Sequence, residues 1–245
     1  MTNNRDFDSV DFYNIDELLT DEQKLIRGTV RDFVTKEISP YIEDWYENSH
    51  FPLEIVKKMG ETGIFGPNVD QRYGGGGMDN ISYGLIMQEL ERGDSGMRST
   101  ASVQSSLVMY PIEAYGSEEQ KKKYLPKLAS GEILGCFGLT EPDFGSNPGG
   151  MITKIEDHGD YYLLNGSKMW ISNSPIADIA VVWAKDENKR IKGVIVEKGM
   201  EGFSAPKTEG KLSLRSSLTG ELVFNDVKIP KDNILPRKDG LGAPL

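Results

Sequence analysis

The residues best placed to do chemistry fall in three stretches. The first, LGCFGLTEPDFGSNPGG at 134–150, gathers glycines, hydroxyls, acids and prolines behind a strand-like apolar run. It fits neither a phosphate loop nor a dinucleotide fingerprint. It reads either as a surface Ω-loop or as a cradle in which small residues let backbone and hydroxyls approach a ligand. The second, KMWISNS at 168–174, sets Trp170 beside Ser172. That tryptophan is either a packed core aromatic or a flat wall for a planar ligand, with Ser172 supplying a hydrogen bond. The third is Arg98, which opens STASVQSSLVMYPI, a run with no further charge until Glu113. Its guanidinium either pairs with Glu89, Glu91 or Asp94 or forms a fork for a ligand carboxylate.

Other candidates carry less. Gly93-Asp94-Ser95-Gly96 has the letters of a serine-protease nucleophile loop, but the surrounding pattern is helical and neither His50 nor His158 has a triad setting, so a loop joining two helices is expected. Gly74 to Gly77 precede a helix start without a preceding βαβ strand; a flexible turn is expected, with anion binding by exposed N–H groups as the minority reading. Lys121, Lys122 and Lys123 read as a solvated helix face, and Cys136 as a small core residue.

The elements that must position these residues divide the chain in two. Thr20 with Gln23 and Ser117 with Gln120 have capping-box spacing, and Asp79 or Asn80 can cap the helix between them. Ile26, Val30, Phe33, Val34 and Ile38 recur at helical spacing up to Pro40. Pro52 suits a first helical position, with stops at Gly60, Gly63 and Gly131. After about residue 134 the texture becomes that of strands (YYLLNG, IADIAVVWAK, KGVIVEKG, GELVFNDVKI), with turns expected at Asn165-Gly166, Asp186 to Asn188 and Glu201-Gly202. The expectation is an α+β multidomain chain: an all-α helical part over 1–134, an antiparallel β-barrel or sandwich over 135–237, and the start of a linker over 238–245.

Composition bounds the function. A net charge of −10 over 245 residues makes nucleic acid a poor partner. One cysteine excludes an internal disulfide and points to a reducing compartment, and two histidines cannot build a histidine-rich metal site. The N-terminal MTNNRDFDSVDF has neither the basic patch nor the apolar core of a secretory signal, and no apolar run approaches membrane-spanning length. The expected location is the bacterial cytoplasm, or the mitochondrial matrix in a eukaryote.

CFGLTEPDFGSNPGG at 136–150 followed by MWISNS at 169–174 resembles the two flavin-contacting signatures of the acyl-CoA dehydrogenase family. LTDEQKLIRGTVRDFV, FGPNVDQRYGGGGMDNISYGLIMQELER, YGSEEQKKKYLPKLASGE and LVFNDVKIPKDNIL stand in the family's order, so the resemblance covers nearly the whole chain. GMRSTASVQSSLVMYPIEAYGSEEQ and KGMEGFSAPKTEGKLSLRSSLTG are similar to the glutaryl-CoA dehydrogenase branch.

The resemblance implies FAD as cofactor, contacted by Phe137, Gly138, Leu139, Thr140, Gly145, Ser146, Trp170, Ile171 and Ser172. It implies that Arg98 and Ser99 hold the distal carboxylate of a dicarboxylyl-CoA, with Ser146 where cofactor and thioester arm meet. Phe144 and Asn147 depart from the small residue and aspartate common there. The implied reaction is α,β-dehydrogenation of glutaryl-CoA, then decarboxylation to crotonyl-CoA, with electrons passed to an electron-transferring flavoprotein, in a homotetramer serving lysine and tryptophan degradation. In the family the catalytic glutamate lies in a C-terminal four-helix bundle, so no catalytic base is expected in residues 1–245. The alternatives are a dehydrogenase of another short or branched acyl-CoA, and a non-catalytic flavin- or CoA-binding module.

Overall fold

A computed structural model describes residues 11–245; of MTNNRDFDSVDF, residues 1–10 lie outside the described part. Both capping boxes form. The Gln23 amide donates to Thr20 Oγ1 (3.2 Å) while the Thr20 amide donates to Gln23 Oε1 (3.0 Å), starting helix α1 (Asp21–Phe33). Ser117 and Gln120 repeat this at α7 (Glu118–Ala129). Asp79, rather than Asn80, caps α4 (Asn80–Gly93). α2 (Ile42–Glu47) follows Pro40, and α3 (Glu54–Glu61) starts two residues after Pro52, whose carbonyl accepts the Ile55 N–H. Gly60 lies inside α3, where a Cβ would come within 2.2 Å of the Ser130 carbonyl oxygen; it marks a close helix approach, and Gly63 at φ 77° makes the stop.

The helix carrying Arg98 has three parts. α5 (Ser95–Ser102) continues through a π-helical segment (Val103–Met109) into α6 (Tyr110–Tyr115). Pro111 has no N–H to give the preceding turn, and the wider π spacing lets the helix run on through it. The π segment places Gln104 at full burial, where its amide donates to the carbonyls of Leu128 (2.9 Å) and Ile133 (3.0 Å) and its Oε1 accepts from Gly135 N (2.8 Å). One buried side chain thus joins the helices to the first strand.

Strands follow from Gly135 onward: β1 (Gly135–Gly138), β2 (Lys154–Asp157), β3 (Tyr161–Ser172), β4 (Ile179–Lys185), β5 (Ile191–Glu197), β6 (Phe203–Ser204) and β7 (Thr219–Pro230). They form one sheet in the order β1-β4-β2-β3-β7-β6, with β5 on β4. The architecture is therefore a helical part followed by a curled sheet. The sheet is mixed, not purely antiparallel: β1 runs parallel to β4, and β2 meets β4 in parallel at Lys154 and Lys185. The reason lies in the connections. The chain leaves β1 through the long 139–153 loop, so β1 and β4 are not joined as a hairpin and neither must reverse on the other.

β4 is buried on both faces, which explains its unbroken apolar run. Ile179, Val181 and Trp183 belong to the core shared with the helices, whereas Ala180, Val182 and Ala184 belong to a second core inside the sheet with Leu164, Leu222 and Phe224. Each buried Val, Ile, Leu or Phe among them contributes about 1.5–3 kcal/mol by burial, and each alanine less.

Two expected turns form, at Asp186 to Asn188 and at Glu201-Gly202, but Asn165-Gly166 is no turn. It is a register slip within β3, where Gly166 (φ 136°) passes so close to Thr153 that a Cβ would sit 2.6 Å from its Oγ1. Gly74 to Gly77 are no open nest either. Their four N–H groups donate to the carbonyls of Gln71, Asp70, Gly66 and Val69, and a Cβ on Gly75 would lie 2.2 Å from the Val69 oxygen. Lys121 is buried rather than solvated, packed over the Tyr73 ring and paired with Glu118, while Lys122 is exposed. No described helix is long and apolar enough to cross a membrane.

Candidate functional site

β1 ends at Gly138, and a Cβ there would crowd Leu222 (2.9 Å) and Lys168 (3.1 Å); only glycine lets the strand lie this close to β3 and β7. Phe137 before it and Leu139 and Thr140 after it are half-exposed, and Cys136 is fully buried, its thiol pushed up by desolvation. Glu141-Pro142-Asp143-Phe144 close a tight turn, with Glu141 and Phe144 exchanging backbone hydrogen bonds. Gly145, Ser146 and Asn147 are exposed, and Gly145 faces open space. Phe144, unusual in the motif, lies against Gly150: a Cβ on Gly150 would be 2.3 Å from its ring.

The second stretch lies alongside. The Met169 amide donates to the Thr140 carbonyl at 2.9 Å, so Thr140 and Trp170 sit side by side on neighbouring backbones. Trp170 is 63% exposed and holds φ 61°, within a slip of the β3–β7 register between Lys168 and Ile171. A bulky residue in the left-handed region is costly and uncommon. Here the bulge turns the indole outward, whereas Ile171 and Asn173 point into the protein and are buried. The core reading of Trp170 is thereby excluded. Ser172 is half-buried, and next to it the buried Asn173 Oδ1 has no hydrogen-bond partner.

Beneath these segments lies a pair that the sequence reading missed. Lys168 Nζ stands 2.8 Å from Glu141 Oε1, with the two side chains 0% and 1% exposed. Glu141 also accepts the amides of Ile152 (2.7 Å) and Thr153 (3.0 Å), and Lys168 also donates to the Leu139 carbonyl (3.0 Å). Burial alone would raise the Glu141 carboxyl, but the backbone N–H groups and the ammonium hold it below the usual range. Burial pushes Lys168 downward against the opposing pull of Glu141. The available signal was weak: an acid in TEPDFG, which also carries Asp143, and a lone base in SKMWIS.

Arg98 resolves to one of its three candidate partners. Its Nε donates to Glu91 Oε2 at 2.6 Å, and Ser102 Oγ lies 3.5 Å from its Nη1. This guanidinium is about one-third exposed, and the paired Glu91 carboxyl is held below its usual value by Arg98, then by Ser95. Glu89 instead takes Arg31 and Arg92. Asp94 caps α5 through Met97 N (3.0 Å) and accepts the Ser216 hydroxyl at 2.5 Å. Gly96 packs under that hydroxyl. The loop 205–218 thereby holds the start of α5, and through the Asn173 amide bonded to the Leu218 carbonyl it reaches the end of β3. Ser99 is half-buried beside Arg98.

A cleft of about 410 Å³ lies between the Arg98 helix and the end of β1. Ser106, Leu107 and Tyr110 of the Arg98 helix line it together with Phe137 and residues 242–245. Arg98 stands eight residues before Ser106, about 12 Å along the helix axis. Clefts of about 520 and 350 Å³ beside α7 contain none of the cofactor- or substrate-contact candidates; Lys123 lines both. Among the described residues no group of three or more His, Cys, Asp or Glu side chains could hold a metal ion.

The arrangement sets an exposed aromatic with neighbouring hydroxyls on the sheet and a partly exposed guanidinium on a helix. The chain belongs to the acyl-CoA dehydrogenase family. It matches the acyl-CoA dehydrogenase N-terminal domain over residues 20–132 and the middle domain over residues 136–227. It is 43% identical over 233 residues to a short-chain-specific acyl-CoA dehydrogenase of Clostridium acetobutylicum, covering 93% of this chain and 61% of the relative. To a glutaryl-CoA dehydrogenase of Desulfococcus multivorans it is 41% identical, covering 93% and 60%. The structure of a glutaryl-CoA dehydrogenase from Mycobacterium smegmatis in complex with FADH2 superposes with a TM-score of 0.93 at 47% identity, covering 95% of this chain and 60% of that one. The chain thus spans about three-fifths of the length of the relatives it matches.

Proposed function

We propose that this chain forms the flavin- and acyl-facing part of an FAD-dependent dehydrogenase of short dicarboxylyl-CoA thioesters, with glutaryl-CoA as substrate and crotonyl-CoA as product after decarboxylation. The residues present fit FAD. Trp170, Phe137 and Leu139 offer apolar surface to a flat ring, Thr140, Ser146 and Ser172 offer hydroxyls to its polar edge, and the buried Asn173 Oδ1 is an acceptor without a partner. FAD held there would supply the hydride- and electron-accepting chemistry. The chain's own contribution is to place the wall, exclude water beneath it and orient the acyl end. The proton-abstracting glutamate is assigned to the C-terminal bundle of the family, and an electron-transferring flavoprotein is the proposed electron acceptor. A homotetramer in the bacterial cytoplasm, acting in lysine and tryptophan degradation, completes the proposal.

The observation that carries the dicarboxylyl reading is Arg98, a partly exposed guanidinium on the helix that runs to the cleft, held by an exposed carboxylate. An exposed pair of this kind contributes about 0–1 kcal/mol. A substrate carboxylate binding bidentately can therefore displace Glu91 at small cost. The same pair supports the second reading, a short or branched acyl-CoA with Arg98 structural, since the guanidinium already has a partner.

The test is a titration of the FAD-loaded chain with glutaryl-CoA and butyryl-CoA, read from the visible flavin spectrum. Glutaryl-CoA should bind at least about tenfold more tightly, a difference of about 1.4 kcal/mol, and Arg98→Met should erase that preference. Equal binding of the two thioesters by the parent chain, or an unchanged preference in the variant, would refute the dicarboxylyl reading.

A further inference from the structure

We propose that the buried Glu141–Lys168 pair is a positioning device that locks segments 137–140 and 170–172 into one frame; this rests on the reading above, in which those segments face the flavin. Three observations carry it. First, the pair is fully withdrawn from solvent, at 0% and 1% side-chain exposure. A buried ion pair is weak as a source of stability, because the desolvation of two charges offsets their attraction, and its better-attested use is to specify one arrangement among several. Second, its hydrogen bonds go to one loop. Lys168 grips the loop entrance at the Leu139 carbonyl, and Glu141 grips the loop exit through the Ile152 and Thr153 amides. The pair therefore staples the neck of the 139–153 loop from β3. Third, it stands at the point where register is lost. Beyond Lys168 the β3–β7 pairing slips, Trp170 takes φ 61°, and the next hydrogen bond toward the loop is from Met169 N to the Thr140 carbonyl. With the sheet register broken there, the ammonium supplies the reference that the ladder does not.

A merely structural pair would behave differently. Replacing both charges by neutral groups of similar size would then restore everything. A positioning pair would not be restored, because methionine has no donor for the Leu139 carbonyl.

The experiment compares the 245-residue chain with Glu141→Gln, Lys168→Met and the double variant Glu141→Gln/Lys168→Met. Amide hydrogen exchange is read at Met169, whose N–H donates to the Thr140 carbonyl and not to either charged group, with Val181 and Ile195 in β4 and β5 as internal references. We expect Met169 protection to fall at least tenfold in each single variant and to stay low in the double variant, with the reference amides unchanged. Added FAD should bind the double variant at least tenfold more weakly and with an altered visible circular dichroism signal. Met169 protection within twofold of the parent in the single variants, or its recovery in the double variant, would overturn the proposal. If a single variant fails to fold, the double variant decides alone, and Lys168→Arg, which keeps donor and charge, should retain protection; its loss in a folded Lys168→Arg chain would also overturn the proposal. Should the parent chain take up no FAD, the flavin-facing reading fails for this chain, while the Met169 exchange still judges the staple.

Discussion

The two ends of the proposed site are both organised by an acid and a base, and they are built oppositely. At the sheet end, Glu141 and Lys168 are buried and joined at 2.8 Å, and the aromatic wall above them is exposed. At the helix end, Arg98 and Glu91 meet at 2.6 Å with side chains 35% and 47% exposed. Burial makes the first pair rigid, because separating its members would leave a charge without water. Exposure makes the second exchangeable, because water or another carboxylate can replace either partner. A wall that must hold a ring in one orientation suits the first design, and a contact that must admit a substrate suits the second.

This contrast is most sharply tested by breaking one member of each pair. Lys168→Met should lower unfolding stability by about 3–5 kcal/mol, since it strands a buried carboxylate; urea denaturation measures this, and a loss below about 1 kcal/mol would mean the pair is not sealed from water. Acid should find the same weakness. The folded Glu141 carboxyl lies below its unfolded value, so its stabilisation is complete above the ordinary carboxylate range and is lost as pH falls through the folded value. Amide protection at Ile152 and Thr153 should thus be level above about pH 5 and decline below about pH 4. The exposed Glu91 carboxyl, held low by Arg98, responds in the same direction, but the contribution of that pair should also fade with added salt.

A middle-sized effect belongs to the joint between the two ends. Ser216→Ala removes a buried hydroxyl donor to Asp94 and should cost about 1–3 kcal/mol. Gly96→Ala puts a methyl 2.6 Å from the same hydroxyl and should act in the same direction. Additivity of the two in a double-mutant cycle would show that they do not share that joint. Smallest in stability is Arg98→Met, at about 1 kcal/mol or less; a loss comparable to that of Lys168→Met would erase the distinction between the two ends.

Much of the fold was legible because its signals are local. Thr20 with Gln23 and Ser117 with Gln120 cap helices by contacts three residues apart, and the 3.6-residue spacing of Val30, Phe33 and Val34 reports a buried face directly. The misreadings share a cause. Asn165-Gly166 has turn composition, yet Gly166 serves a contact with Thr153 across the sheet. At Gly74 to Gly77 only the minority anion-binding reading fails, because their N–H groups are used by carbonyls at 66–71. Lys121 reads as surface by charge alone, yet it is covered by Tyr73 and Glu118.

By itself the sequence determined the succession of helical and strand segments and, through the motifs at 136–150 and 169–174, the family. These depend on residue type and near spacing. Only the tertiary structure decided that β1 runs parallel to β4, that Trp170 points outward, that Glu91 rather than Glu89 or Asp94 takes Arg98, and that Glu141 and Lys168 meet. Those outcomes join residues far apart in the chain or compare near-equal partners, and which contact wins depends on burial, a property that no short stretch of sequence possesses alone.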